Sequence, residues 1–333
     1  CELAKRTFYS ICNIGMRKYG INPITSSNIW KRFILPKAFF GCELWNCLTK
    51  QEIENLEKTQ RHVSKRFQGM EQRAPTDCVL SCIGLWPVKD YINKMKLLFL
   101  GRLCRFNRDS IPKKIFLTRL SSYIVRTDTN CKNKGFLQDV IKILHEYPIL
   151  YESLEMYLKN CSYMSKDKWK MAVNGQIQLK LENAWTESVS INPKLTRFSN
   201  VHTKYENIVH WKLGMKYPAN AWDYAQLLYL LILHTDGDMI CLGCNESTSD
   251  IVKHTLLFCP KLFKTRDCWF EDIVDVLNVA DSVMLFNSET DIIIETLLGG
   301  RSDLLYNIDQ IQWEKLITLC AKHIKHMLNT FLN

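Results

Sequence analysis

Apolar residues recur along this chain at intervals of three and four, the spacing that lines one face of an α-helix. The clearest run opens at Thr49, which forms a capping box with Glu52. It continues through Ile53, Leu56, Val63, Phe67 and Met70, with Gln60 filling one slot of the stripe. Earlier, residues 2–19 read as a helix ended by Gly20, with Leu3, Phe8, Ile11, Cys12 and Met16 inward. Ser26 or Ser27 can cap a second helix running to Trp45, which Pro36 should kink or split. Residues 88–106 repeat the pattern, with Val88, Tyr91, Ile92, Met95, Leu98 and Leu103 on the core side, and Pro112 suits the first turn of a short helix. Further helical patterns fall at 136–147, 150–160, 165–188, 202–213, 218–234 and 309–332. In the third of these Trp169, Val173, Ile177, Leu181 and Trp185 stand four apart, as one buried stripe would. No period-2 alternation and no internal repeat appears. The pattern predicts a mostly α fold: a helical bundle followed by a second helical domain.

Breaks in the pattern suggest the organisation. Residues 1–121 form a basic helical region, and 122–135 a polar, turn-rich linker. Residues 136–234 are a helical connector, 235–265 a small cysteine-rich unit, and 266–333 a C-terminal helical region. Charge sharpens this division. Residues 1–135 carry 25 lysines and arginines against 10 aspartates and glutamates, a net of +15, whereas residues 136–333 carry 19 against 24, a net of −5. Such segregation points the first part at a polyanion. Lys58, Arg61, Lys65, Arg66, Lys94, Arg102 and Arg105 lie on the polar faces of the predicted helices and are candidates to contact phosphates.

Composition adds limits. At 333 residues, 47% hydrophobic and 23% charged, the chain suits about two folded domains and does not suit wholesale disorder. The longest apolar run, Ala225 to Leu233, is well short of the ~20 residues that span a bilayer, so no membrane partner is expected. No signal peptide is read at the start, and most of the fourteen cysteines read as reduced, buried small hydrophobes in an intracellular protein. The chain begins with Cys1, which suggests a piece of a longer product.

One cluster asks for a different chemistry. In "CLGCNESTSDIVKHTLLFCP", Cys241 and Cys244 have the gap that lets a tight turn aim two sulfurs at one ion, with Gly243 permitting the turn. His254 and Cys259 follow, about one helical turn and a step apart. Three thiolates and an imidazole make a closed tetrahedral set, so structural zinc is expected on Cys241, Cys244, His254 and Cys259. Glu246 and Asp250 read as solvated loop residues. Cys320, His323 and His326 share a helix but lack a fourth partner, and helix packing explains them better.

The segments "AKRTFYSI", "IWKRFILPKAFFGCELW", "LTKQEIENLEKTQRHVSKRFQGM", "DCVLSCIGLWPV" and "INKMKLLFLGRLCR" resemble, in this order, the thumb and following segment of non-LTR (LINE-type) retrotransposon reverse transcriptases. The 241–259 cluster resembles the zinc knuckle in their C-terminal region. The likeness covers residues 1 to about 260. It implies an RNA template and an RNA–DNA or DNA duplex as partners, an upstream palm domain of the same polyprotein, and a nuclear or cytoplasmic ribonucleoprotein. The chain departs from the family in one respect: no Asp-Asp pair occurs in it, and that family's polymerase holds its metals on such a pair. The chain alone is therefore expected not to polymerise. The alternative is a non-enzymatic, zinc-binding helical adaptor whose Trp169/Trp185 stripe or acidic second half contacts a protein.

Overall fold

Thr49 and Glu52 do cap one another. The Thr49 backbone N–H donates to Glu52 Oε2 at 2.7 Å and the Glu52 N–H donates to Thr49 Oγ1 at 3.2 Å, and the helix Lys50–Gln68 follows. Val63, Phe67 and Met70 on its stripe are buried, and the Gln60 slot is used: its amide donates to the Trp86 carbonyl at 2.8 Å. This computed structural model describes residues 2–125, 135–233, 237–300 and 308–332. Most of the expected linker therefore lies outside the described residues, although 122–125 still belong to the helix Ile111–Val125. Helices dominate, and the mostly α reading holds. None of the described helices is long and apolar enough to cross a membrane.

The chain packs as two units, one of Cys1–Ser10, Trp30–Val63 and Trp86–Ala184, the other of Ile11–Ile29, Ser64–Leu85 and Trp185–Asn333. The units interleave along the chain, so the sequential segments read from the sequence do not coincide with them.

In the first unit the helices Val88–Arg105, Ile111–Val125, Phe136–His145, Pro148–Asn160 and Lys166–Ile191 enclose one apolar cluster that includes Leu97, Leu100, Phe116, Leu144, Leu150, Trp169, Val173 and Ile177. Trp169 is fully buried and donates its indole N–H to the Leu97 carbonyl at 2.8 Å. Gly101 makes room for it, since a Cβ there would lie 2.3 Å from Trp169 Cδ1. Trp185, in the second unit, is 5% exposed. The tryptophan stripe is thus core and offers no interface, which corrects that part of the adaptor reading. Two lysines of the basic half are also interior. Lys96 pairs with Asp139 at 2.9 Å. Lys113 donates to the carbonyls of Leu103 and Cys104 at 3.0 and 2.7 Å, capping the C-terminus of the helix that ends at Arg105.

In the second unit the long helix Gln310–Leu332 packs on Phe263–Leu277 and on Ala221–Ile232 through Trp269, Leu316, Ile317, Cys320 and Ile324, all buried. His323 Nε2 donates to Asp272 Oδ2 at 2.8 Å and its ring stacks on Trp269, so the Cys320–His323 pair serves packing.

Several helix limits differ from expectation. The first helix stops at Cys12, not at Gly20, because Gly15 turns left-handed (φ 114°) and the Ile21 N–H returns to the Gly15 carbonyl. Leu3, read as inward, is 48% exposed. The second helix starts at Pro23, where the Asn22 side chain accepts the Ile24 N–H at 2.8 Å, so Ser26 and Ser27 are buried inside it and cap nothing. The disturbance at Pro36 is absorbed by a π-helical turn, Trp30–Ile34, leaving the proline in the first turn of Leu35–Ala38. The helix expected over 202–213 begins only at Val209 (Val209–Lys216), and the helix before it, Thr196–Val201, ends short of that span. The residues between are drawn out by pairing with the segment around Ile83, including an Ile208 N–H bond to the Cys82 carbonyl at 2.9 Å.

Candidate metal centre

Cys241 and Cys244 stand at the tip of a small hairpin whose strands, β1 (Met239–Ile240) and β2 (Ser247–Thr248), pair antiparallel with Met239 opposite Thr248. Strands of two residues are too short to show a period in the sequence. The Cys241 N–H closes the tip on the Glu246 carbonyl at 2.8 Å, and the Asn245 N–H returns to the Cys241 carbonyl at 2.8 Å. The left-handed residue that this turn needs is Asn245 (φ 63°), not Gly243. Burial works against a thiolate at Cys241, but the N–H groups of Cys244 and Gly243 aim at its sulfur and hold the thiol below its ordinary value.

The other two ligands come from the next turn of chain. The Asp250 side chain caps it, accepting the Lys253 N–H at 3.0 Å, and the helix Ile251–Lys253 runs into a π-helical turn over His254–Phe258. The Cys259 N–H donates to the His254 carbonyl at 2.7 Å. That i to i+5 bond gives the four-residue gap its meaning, since a π turn, unlike an α turn, sets positions five apart on one face.

All four ligand atoms lie within 4.8 Å of one another, and among the described residues this is the group that could hold a metal ion. The Cys241 and Cys259 sulfurs are 3.8 Å apart, and Cys244 Sγ is 3.2 Å from His254 Nε2. Sulfurs bound at ~2.3 Å to one tetrahedral ion sit about 3.8 Å from each other, so the donor set fits such an ion. Cys241, His254 and Cys259 are buried and Cys244 is half-buried, so a bound ion would be largely closed off from solvent.

Two supporting arginines were not read from the sequence. Arg266 is buried and donates to the Cys259 carbonyl at 3.2 Å, and Arg197 holds Asp250 at 2.6 Å. Burial alone would raise the Asp250 carboxyl, but the Lys253 N–H and Arg197 outweigh it and keep it below the usual carboxylate range. Asp250 is therefore a cap and an anchor, not a solvated loop residue. An acid three residues before Lys253 is a legible cap signal. The arginines come from other helices and leave no local signal.

The basic residues share no such convergence. Arg61 is held by Glu54 at 2.5 Å, and Lys65 donates to the Gln72 carbonyl at 2.6 Å. Lys94 lies over the Trp86 ring at 5.1 Å, and burial, then Lys170, lowers its pKa. Arg105 donates to the Met164 carbonyl at 3.3 Å, and Arg102 lies 6.0 Å from the centre of the Phe99 ring. Lys58, Arg66 and Arg102 are the exposed members of the set. No protein-family model, no curated protein and no solved structure matches the chain.

Proposed function

We propose that this chain is a nucleic-acid-binding, C-terminal part of a retrotransposon RNA-directed DNA polymerase, built from a helical thumb and a structural zinc knuckle. The observation that carries the reading is the segregated charge, +15 within residues 1–135, on a chain that also holds a closed cysteine–histidine set. Lysine and arginine on helix faces would follow the phosphates of a template–primer duplex without reading its bases. Zinc is the metal that three thiolates and an imidazole in a tetrahedron favour, and four protein donors leave it no open position for catalysis. We assign the chain no nucleotidyl transfer of its own, and its apolar partner would be the palm of the same polyprotein.

Binding to an RNA–DNA duplex tests this reading. Affinity should fall steeply between low and physiological salt. Arg66→Glu with Arg102→Glu should weaken every sequence alike and flatten the slope of log K against log salt by about 0.9 for each phosphate no longer neutralised. An affinity that ignores salt would sink it. Metal analysis tests the second half: one zinc per chain, absent from Cys244→Ser with His254→Ala.

A second reading has one observation in its favour. A cleft of about 420 Å³ lined by Leu44, Phe99, Ile111, Ile115, Phe116 and Phe136 is largely apolar, as a protein-binding adaptor would need.

A further inference from the structure

A cleft in the first unit, about 500 Å³, is lined by Lys5, Tyr9, Asn55, Lys58, Thr59 and His62. Every one of these side chains can donate a hydrogen bond, and none is a carboxylate. The lysines come from separate helices, Glu2–Cys12 and Lys50–Gln68, so their charges flank the cleft from two elements. Acids nearby in sequence do little to neutralise it. Glu54 is engaged by Arg61 at 2.5 Å. Glu2 lies 3.8 Å from Lys5 in a pair that is exposed on both sides, where water screens it.

The Tyr9 ring, which lines the same cleft, is held by two contacts. Its edge meets Phe8 (centroids 5.4 Å apart), and its hydroxyl is 3.2 Å from His62 Nε2. Tyr9 is 43% exposed even so. Asn55 presents an amide whose oxygen already accepts from Gln51 at 3.1 Å, which leaves its NH₂ as the group on offer. A held aromatic face beside two ammonium groups is the combination that takes a base and its phosphate.

We propose that this cleft is a nucleotide subsite: Lys5 and Lys58 bind the phosphoryl oxygens, and Tyr9 carries the base. The nucleotide is either free or one unit of a strand. Only the strand case rests on the function proposed above.

Fluorescence anisotropy on the full chain, with a labelled single-stranded 12-mer RNA and with ATP as competitor, tests the proposal. Lys5→Met with Lys58→Met should weaken RNA binding at least tenfold at low salt, with the melting curve unchanged. Lys166→Met with Lys168→Met, a control at exposed positions of the same unit, should change it less than threefold. Tyr9→Leu should cost roughly tenfold while leaving the salt slope alone. Competition by ATP that Lys5→Met with Lys58→Met abolishes would place free nucleotides in the cleft, and RNA binding without such competition would restrict it to strands. If the wild type binds ATP but no RNA, the subsite stands and the polymerase reading falls. Should the lysine double variant bind RNA no worse than the control, the subsite is wrong whatever else the chain binds. Failure of the wild type to bind either probe overturns both.

Discussion

The cluster from Leu97 to Ile177 and the loop from Met239 to Cys259 both bury their central side chains, yet they are closed by different physics. The first encloses its apolar residues between helices, and Trp169, Leu144 and Val173 are wholly removed from water. At about 25 cal/mol per Å² of apolar surface, that burial is the dominant stabilising term of such a region. The loop has two strands of two residues, one left-handed asparagine and exposed Ile240, Leu242 and Phe258. Apart from Cys241, His254 and Cys259, Val252 and Leu256 provide most of its interior. Apolar side chains can stay exposed there because a metal, not their burial, would set the fold. A bundle tolerates small changes in many side chains; a metal loop depends on four.

Removing metal should break the symmetry of this comparison most. Structural zinc in small domains contributes on the order of 10–16 kcal/mol, and a metal ion held by these four donors would have one place to act. With a chelator present, amide exchange should accelerate to near the unfolded rate through 239–262 and hardly change through 97–177. Equal acceleration in both would mean that the loop has its own apolar core; no change in either would mean that no metal was bound.

The same contrast explains what was legible. The helices around Thr49, Val88, Trp169 and Gln310 followed from periodicity and capping, which act within a few residues of sequence. That Cys241, Cys244, His254 and Cys259 would come together followed from residue type and spacing, because tetrahedral metal chemistry demands such donors and few other roles group them. What stayed hidden depends on residues distant in the chain. Nothing near Arg266 announces the Cys259 carbonyl, and the two interior lysines, Lys96 and Lys113, look in sequence like the surface lysines around them. The breaks at Gly15 and Ile208 come from hydrogen bonds that compete with the helix, and the second of these involves Cys82, far upstream. For the basic face, spacing placed seven residues on polar helix faces, of which Lys58, Arg66 and Arg102 are exposed, and it gave no sign that Arg61 and Lys65 would find partners within the fold.

Acid should sharpen the comparison from the other side, through groups that belong to neither region. His202 and His210 of the second unit are buried, and burial first, then for His202 the charge of His210, lowers each pKa to about 4. Both are depressed below the unfolded value of about 6.5, so the unfolded chain binds more protons between those limits. Stability supplied by the neutral rings is complete above about pH 6.5 and is lost as pH falls toward 4, by up to about 1.4 kcal/mol per pH unit for each histidine. Denaturant melts of the second unit between pH 7 and 5 should show the slope. His202→Phe, placed among Trp185, Phe198 and Tyr205, should remove part of it while leaving metal content unchanged. An undiminished slope in that variant would clear His202 and leave His210 or the cysteine–histidine cluster as its source.

The smallest effect concerns one hydrogen atom in the bundle. Gly101 stands inside the helix Val88–Arg105, where alanine would ordinarily be better by about 1 kcal/mol. Here the Cβ of an alanine would meet Trp169 Cδ1 at 2.3 Å and Nε1 at 2.4 Å, closer than van der Waals radii allow. The indole cannot swing away freely, because its N–H is bonded to the Leu97 carbonyl and its ring is packed against Tyr163. Overpacking of this kind costs about 1–3 kcal/mol, enough to reverse the helix preference. Gly101→Ala should therefore destabilise the first unit and speed exchange at Leu97 and Leu100, with metal content untouched. If the variant is instead more stable, the bundle has slack around Trp169, and its tolerance would come from loose packing rather than from the number of side chains that share the load.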